Sequence, residues 1–206
     1  MNHYFTKNSN LKSEEKIIEF NFKNKNYKFY TDNGVFSKDG LDIGTKVLLE
    51  TLDFKKIHGE VLDFGCGYGP IGIILSKNTD AKIDMIDIND RATHLANKNI
   101  NLNKANNIKA FESDCYQNIK KEYDYIITNP PIRVGKQVLY KILREAKKYL
   151  KENGELWFVI NKYQGAKSTI KDMSDIYNIE VINKSKNFFI IRAKNNWQFE
   201  VCLITL

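Results

Sequence analysis

Short apolar runs separated by polar turns set the rhythm of the chain, and that rhythm changes once. The first section carries two period-two patterns, "IIEFNF" and "YKFYTD", on either side of "KNKN". Alternation of this kind predicts a β-hairpin that packs through Phe20, Phe22, Tyr27 and Phe29. "NGVFSKDGLDIGT" comes next as a loop with three glycines, and "KVLLETL" reads as a short helix. From Glu60 onward, apolar strands alternate with helical stretches: "EVLDF", then "PIGIILSKN"; "KIDMID", then "RATHLANKNINLNK". "IKAFES" and "YDYIIT" are two more strands, "KQVLYKILREAKKYL" a helix and "ELWFVI" a strand, with a further helix between Gly165 and Tyr177. Alternation of strands and helices predicts βαβ units, hence a parallel sheet with helices on both faces. The last strands break the alternation. "IEVIN", "KSK" and "FFIIRAK" leave no room for a crossover helix, so these strands form an antiparallel hairpin at one edge. "NWQFEVCLITL" is a further edge strand or an extension.

Size and composition narrow the class. A chain of 206 residues, 42% hydrophobic, builds one substantial core. The expected division is an N-terminal hairpin and cap over residues 1–55, a core over 56–195 and an extension over 196–206, all within one domain. No apolar run approaches the roughly 20 residues that a membrane-spanning helix requires. The start lacks an apolar signal core, which makes a cytoplasmic location the default expectation. Cys66, Cys115 and Cys202 are widely spaced, and His3, His58 and His94 form no ligand pattern, so neither a disulfide framework nor a metal site is expected. The formal charge of +7 suits an anionic partner, although abundant Lys and Asn together also arise from coding bias. Arginine is scarce. Arg133 and Lys136 lie just beyond a double proline and are the candidate cationic contacts to substrate.

The glycine-rich turn "VLDFGCGYGPIG" ends a strand at Asp63 and Phe64, places glycines at 65, 67 and 69, and opens a helix with Pro70. Such a turn at a strand's C-terminal end is where open α/β sheets bind nucleotides. Two ligands compete for it. Gly67, Gly69 and Gly72 satisfy G-x-G-x-x-G, with Asp87 at the next strand end, a nicotinamide-type fingerprint. Asp63 ahead of the glycines favours a cationic ligand without phosphate, and S-adenosylmethionine fits that description. Asp87 is placed to accept both ribose hydroxyls and Asp114 to accept from the adenine amine, unless Asp114 is a helix N-cap. Cys66, Ile88 and Ser113 stand beside these acids as further cofactor contacts.

"ITNPPIRVGK" supplies the second chemical feature. Proline has no N–H for a sheet, so Pro130 and Pro131 end the fourth core strand and stiffen the segment beyond it. That strand is expected beside the first, so Asn129 faces the reactive end of the cofactor. An exocyclic base amine is a poor nucleophile because its lone pair is delocalised into the ring. Two fixed acceptors, the Asn129 side-chain carbonyl and the Pro130 backbone carbonyl, can bind its N–H groups and aim the lone pair. Pro131 holds Pro130 extended, which sets the second acceptor in advance.

"HYFT", "GVFS" with "LDIGT", "VLDFGCGYGPIG", "MIDIN", "TNPPIRVGK", "GELWFVINKYQGA" and "FFIIRAK" resemble, in that order, class I S-adenosylmethionine-dependent methyltransferases of the ribosomal RNA small-subunit methyltransferase C type. The resemblance implies a Rossmann-like fold, a mostly parallel seven-stranded sheet, and methyl transfer to guanine N2 of small-subunit ribosomal RNA. It also implies that Asp63, Gly65 and Gly67 form the cofactor turn, that Asp87 and Asp114 hold ribose and adenine, and that Asn129 through Ile132 form the amine clamp. Phe36 and Ser37 match the family's "VFS" and are expected to close the cofactor pocket. Longer relatives carry an additional N-terminal half, so RNA placement falls to the hairpin, the basic surface or a second copy, as a monomer or homodimer. Ile132 stands where many amino methyltransferases have an aromatic, which leaves base stacking to Phe36 or another ring. Adenine N6 and a protein glutamine amide present the same N–H pair and remain alternatives.

Overall fold

A computed structural model of the chain describes residues 12–131 and 135–195. Ile132, Arg133 and the 196–206 extension lie outside the described residues. The two period-two segments form β1 (Lys16–Phe22) and β2 (Lys25–Thr31), paired antiparallel with Phe20 opposite Tyr27. Lys23 and Asn24 join them, both at positive φ (46° and 61°). Two such residues make the tight turn whose twist matches that of a hairpin.

Phe22, Tyr27 and Phe29 are buried, and the half-buried Phe20 stacks on Phe29 with ring centroids 5.3 Å apart. The outer edge of β2 is closed by asparagines of the helix α3 (Asp90–Leu102) and its C-cap. Asn99 accepts the Tyr30 N–H at 2.7 Å and donates to the Tyr30 carbonyl at 2.9 Å. Asn103 donates to the Lys28 carbonyl at 2.7 Å. A carboxamide carries both a donor and an acceptor, so it can replace a missing strand neighbour. Some of the asparagine content therefore has a structural cause, and the hairpin is fastened along the body of the protein.

The remaining strands are β3 (Glu60–Phe64), β4 (Lys82–Asp87), β5 (Ile108–Glu112), β6 (Tyr123–Thr128), β7 (Leu150–Asn161), β8 (Tyr177–Ser185) and β9 (Phe188–Asn195). They form one seven-stranded sheet in the order β5-β4-β3-β6-β7-β9-β8, parallel up to β7, with β9 antiparallel to both β7 and β8. The expected mixed sheet with an antiparallel terminal hairpin is what forms. β6 lies beside β3, with Asp63 opposite Ile127, as the topology of the double proline requires.

Consecutive strand residues point to opposite faces. Val61, Met85, Ile127 and Val159 enter a core shared with the hairpin, α1 (Ile43–Thr51), α2 (Pro70–Ser76) and α3. Leu62, Ile86, Ile126 and Phe158 enter a second core under α4 (Lys136–Glu145) and α5 (Ala166–Met173). The predicted helix through Leu150 is shorter than its pattern: α4 stops at Glu145 and tightens into a 3₁₀ turn over Ala146–Tyr149. That tighter turn is a common way to close a helix whose last carbonyls lack partners. The opposite happens at β7, which starts at Leu150 and takes in the polar "KENG" ahead of the apolar run.

Candidate active site

The site assembles at the C-terminal ends of the parallel strands. β3 runs into the glycine turn, and the N–H groups of Gly65 and Cys66 both donate to the Ile86 carbonyl at 2.9 Å, hooking the turn onto β4. Gly65 and Gly67 have φ of 71° and 56°, and a Cβ at either would meet nothing within 4 Å. Glycine is therefore used here both for its backbone conformation and for the open space in front of it. Gly69, at φ 95°, is the N-cap of α2, and Pro70 occupies the first turn as expected.

In front of the turn lies a cavity of about 610 Å³. Its walls come from the loop before α1 (Phe36, Asp42), the glycine turn, the ends of β4 and β5 (Asp87, Asp114), and the end of β6 (Asn129, Pro130, Pro131). Cys66, Ile88 and Ser113 also line it. Asp87 accepts from the backbone N–H groups of Gly67 and Asn89, each at 2.9 Å. Burial pushes its carboxyl above the usual range, partly offset by those backbone donors. Four lone-pair sites on a carboxylate leave acceptor capacity for a diol.

Asp63 departs from the expectation of a direct cofactor contact. It is fully buried and does not line the cavity; Oδ2 accepts the Gly72 N–H at 2.9 Å and Oδ1 has no partner. Burial raises its pKa to about 7, the Gly72 donor lowers it, and the Asp87 charge raises it. The side chain fastens α2 to β3 from beneath the turn, so any effect on a ligand passes through the glycines or through its charge. Asp114, unlike Asp63, lines the cavity; no helix succeeds it, so the N-cap alternative is not realised. Ser113 organises that turn, donating to the Cys115 carbonyl at 2.8 Å and accepting from the Asn118 N–H at 3.2 Å. Asp114 is left exposed on the cavity wall.

Lys136 does not line the cavity. It pairs with Asp172 of α5 at 3.4 Å and lies over the Tyr140 ring. Burial pushes the Cys66 thiol well up, helped by the Asp87 and Asp63 charges, which keeps it protonated and unsuited to nucleophilic chemistry.

The end of β6 is locked from two sides. Thr128 donates its hydroxyl to the Phe64 carbonyl at 2.8 Å, tying the strand end to β3. Asn129 Nδ2 donates to Asp42 Oδ2 at 2.8 Å and to Thr45 Oγ1 at 2.9 Å. The sequence does not mark Asp42 and Thr45 as site residues, although "LDIGT" carries a legible N-cap signal in its Asp and Thr. Val138, Asn161, Gln164 and Phe188 add to the wall from α4, the β7 and β9 strand ends and the 3₁₀ turn after β7; the family-like stretches "GELWFVINKYQGA" and "FFIIRAK" mark the segments of the last three but not these side chains. Among the described residues no group of His, Cys, Asp and Glu is arranged to hold a metal, and no helix is long and apolar enough to cross a membrane.

The methyltransferase small-domain family profile matches residues 26–192, which includes every wall of this cavity. The chain belongs to the methyltransferase small-domain family. S-adenosylmethionine is the cofactor such folds use, and the cavity, the open glycines and Asp87 suit it. The nicotinamide alternative finds no support in this membership.

The methyltransferase is 40% identical over 196 residues to the uncharacterized protein YbxB of Bacillus subtilis (strain 168), covering 93% of this chain and 98% of that one. It is 35% identical over 176 residues to ribosomal RNA small subunit methyltransferase C of Haemophilus influenzae Rd, covering 83% of this chain and 52% of that one. The chain thus spans about half the length of the ribosomal RNA methyltransferases it matches. Among solved structures, the T. thermophilus 16S rRNA N2 methyltransferase RsmC, in complex with AdoMet and guanosine, superposes with a TM-score of 0.79 at 22% identity. That match covers 88% of this chain and 51% of the other, and supports the Rossmann-like methyltransferase fold.

Proposed function

We propose that this methyltransferase moves a methyl group from S-adenosylmethionine to an exocyclic amine, guanine N2 of small-subunit ribosomal RNA. One observation carries the reading: Asn129 and Pro130 line the same cavity as the glycine turn and Asp87, so amine acceptors and a cofactor site share one space. The named relatives act on small-subunit ribosomal RNA, which points to the same substrate class.

When bound, S-adenosylmethionine would supply an electrophilic methyl carbon that the amine nitrogen takes from sulfur. Asp87 and the glycine turn hold its ribose end. Asn129 Oδ1 and the Pro130 carbonyl accept the two N–H groups of the amine, which turns the nitrogen lone pair toward that carbon. Pro130 is buried and succeeded by a second proline, so its carbonyl is aimed before substrate arrives. No general base is needed, because the methylated nitrogen is acidic and its extra proton passes to water.

Exposed aromatic and aliphatic side chains at and beside the cavity suit a base swung out of an RNA strand. Phe36 (43% exposed) and Val138 (41%) line the cavity, and Tyr163 (76%) stands between two lining residues, Asn161 and Gln164. Rings placed this way stack on unpaired bases.

The test is transfer of a labelled methyl group to ribosomal RNA, small ribosomal particles, DNA and protein, with nucleoside and amino-acid analysis of each fraction. Label in N2-methylguanine of small-subunit RNA, lost with Asn129→Ala, is the expected result. Label confined to N6-methyladenine or to methylated glutamine replaces the substrate; no label in any fraction overturns the reading.

A further inference from the structure

Asn129 is useful as an acceptor only if its oxygen, and not its nitrogen, faces the amine. The two ends of a carboxamide are nearly the same size, so packing alone cannot choose between them. Here the choice is made chemically. Asp42 has only acceptors when ionised, so the atom opposite it must be Nδ2. Thr45 Oγ1 takes the second N–H, at 2.9 Å against 2.8 Å for Asp42. With both amide protons spent on one side, planarity places Oδ1 on the other, and it has no partner among the described residues.

We infer that Asp42 and Thr45 are positioning residues that fix the Asn129 carboxamide with Oδ1 presented to the substrate amine. The inference rests on the proposed amine transfer for its consequence, but the held amide is a property of the chain itself. Three features show that the holder is built. Asp42 Oδ2 also accepts the Thr45 backbone N–H at 2.9 Å as N-cap of α1, so the helix start fixes the carboxylate. Thr45 is buried. A Cβ on Gly44 would come within 3.0 Å of that same Oδ2 and 3.1 Å of the Phe188 ring, so the small residue leaves the carboxylate its place.

The carboxylate also changes the acceptor. A negative charge against Nδ2 polarises the amide and puts more electron density on Oδ1, which strengthens its bond to an incoming N–H. The pair then acts as a short relay: carboxylate, amide, substrate amine. Exchanging its two ends should preserve the logic. Asn129→Asp alone would set two carboxylates against each other. Combined with Asp42→Asn, it removes the like-charge contact; because one Asp42 oxygen serves both the α1 cap and Asn129, the introduced carboxamide has to turn to set its nitrogen against residue 129 and its oxygen against the Thr45 N–H, and residue 129 still offers an oxygen to the amine.

The experiment has two arms. In the first, the Asn129 side-chain amide protons are monitored by NMR in ¹⁵N-labelled full-length protein and in Asp42→Ser, which keeps a helix cap but is too short to reach Asn129. Slow solvent exchange in the parent and fast exchange in the variant is expected. Equal exchange in both, with each protein folded, overturns the hold.

In the second arm, Asp42→Ser should lower kcat for methyl transfer about 10- to 100-fold at saturating S-adenosylmethionine. The exchanged pair should recover at least about tenfold over Asn129→Asp alone. An exchanged pair no better than Asn129→Asp, or an Asp42→Ser loss seen only in KM, overturns the positioning role. A parent that methylates no RNA while its amide stays protected overturns the proposed function and leaves the hold standing.

Discussion

Gly67 donates its backbone N–H to Oδ2 of Asp87 at 2.9 Å, so the candidate ribose acid also holds the glycine turn in shape. One carboxylate thus serves a ligand and the loop that shapes the ligand's cavity. Removing it should cost more than one hydrogen bond. Asp87→Ala is expected to weaken S-adenosylhomocysteine binding at least about tenfold by calorimetric titration. NADH should give no saturable heat with either protein.

Asp63 makes stability depend on pH in an unusual direction. Its folded pKa, raised by burial from 3.8 to about 7, means that the folded chain keeps a proton which the unfolded chain releases. By linkage, this carboxyl imposes no penalty below pH 3.8, a growing one from there to about pH 7, and a constant one above. Asp63→Asn keeps an oxygen for the Gly72 N–H and removes the ionisation. Relative to this variant, the parent should lose about 2–4 kcal/mol of unfolding free energy between pH 5 and pH 8. Denaturation curves that shift in parallel across that range would rule the linkage out.

Gly72 packs α2 against β4 without needing an unusual backbone. Alanine is the better helix former, yet a Cβ there would stand 2.4 Å from Met85 Sδ and 3.2 Å from Asp63 Oδ2. Overpacking should prevail, and Gly72→Ala should destabilise by about 1–2 kcal/mol in urea unfolding. In a Met85→Ala background, where the obstructing side chain is gone, the same change should be neutral or stabilising.

Tyr163 offers a ring to solvent between two residues that line the cavity, Asn161 and Gln164, and has no role in either core. Tyr163→Ala should leave the melting temperature within about 1 °C. It should raise KM for the RNA substrate by about fivefold or more, the value of one stacking contact. An unchanged KM would assign stacking to Phe36 instead.

How much of this the sequence disclosed depended on whether a feature is local. The glycine turn, the helix-opening Pro70 and the strand-ending prolines are written in neighbouring residues, and the structure places them together in one cavity. The terminal hairpin was legible because three residues cannot carry a crossover. Depth was not legible: the register sets Asp63 opposite Met85, two residues short of Asp87, so the two carboxylates share a face of the sheet yet one lies beneath the turn and the other in front of it. The partner of Asn129 was also invisible, since Asp42 lies 87 residues away and its local pattern announces only a helix start. The spare asparagines of α3 look like compositional bias until a strand edge is seen against them.

The carboxamide at the end of β6 takes its orientation from a helix that precedes the whole sheet in the chain. The front segment and the fourth sheet strand therefore have to be inherited as a matched set. A hybrid that joins the opening fifty or so residues of one family member to the body of another will fold on the strength of its two cores. It will present a correctly turned acceptor only where the two parents agree on which side of that contact carries the charge.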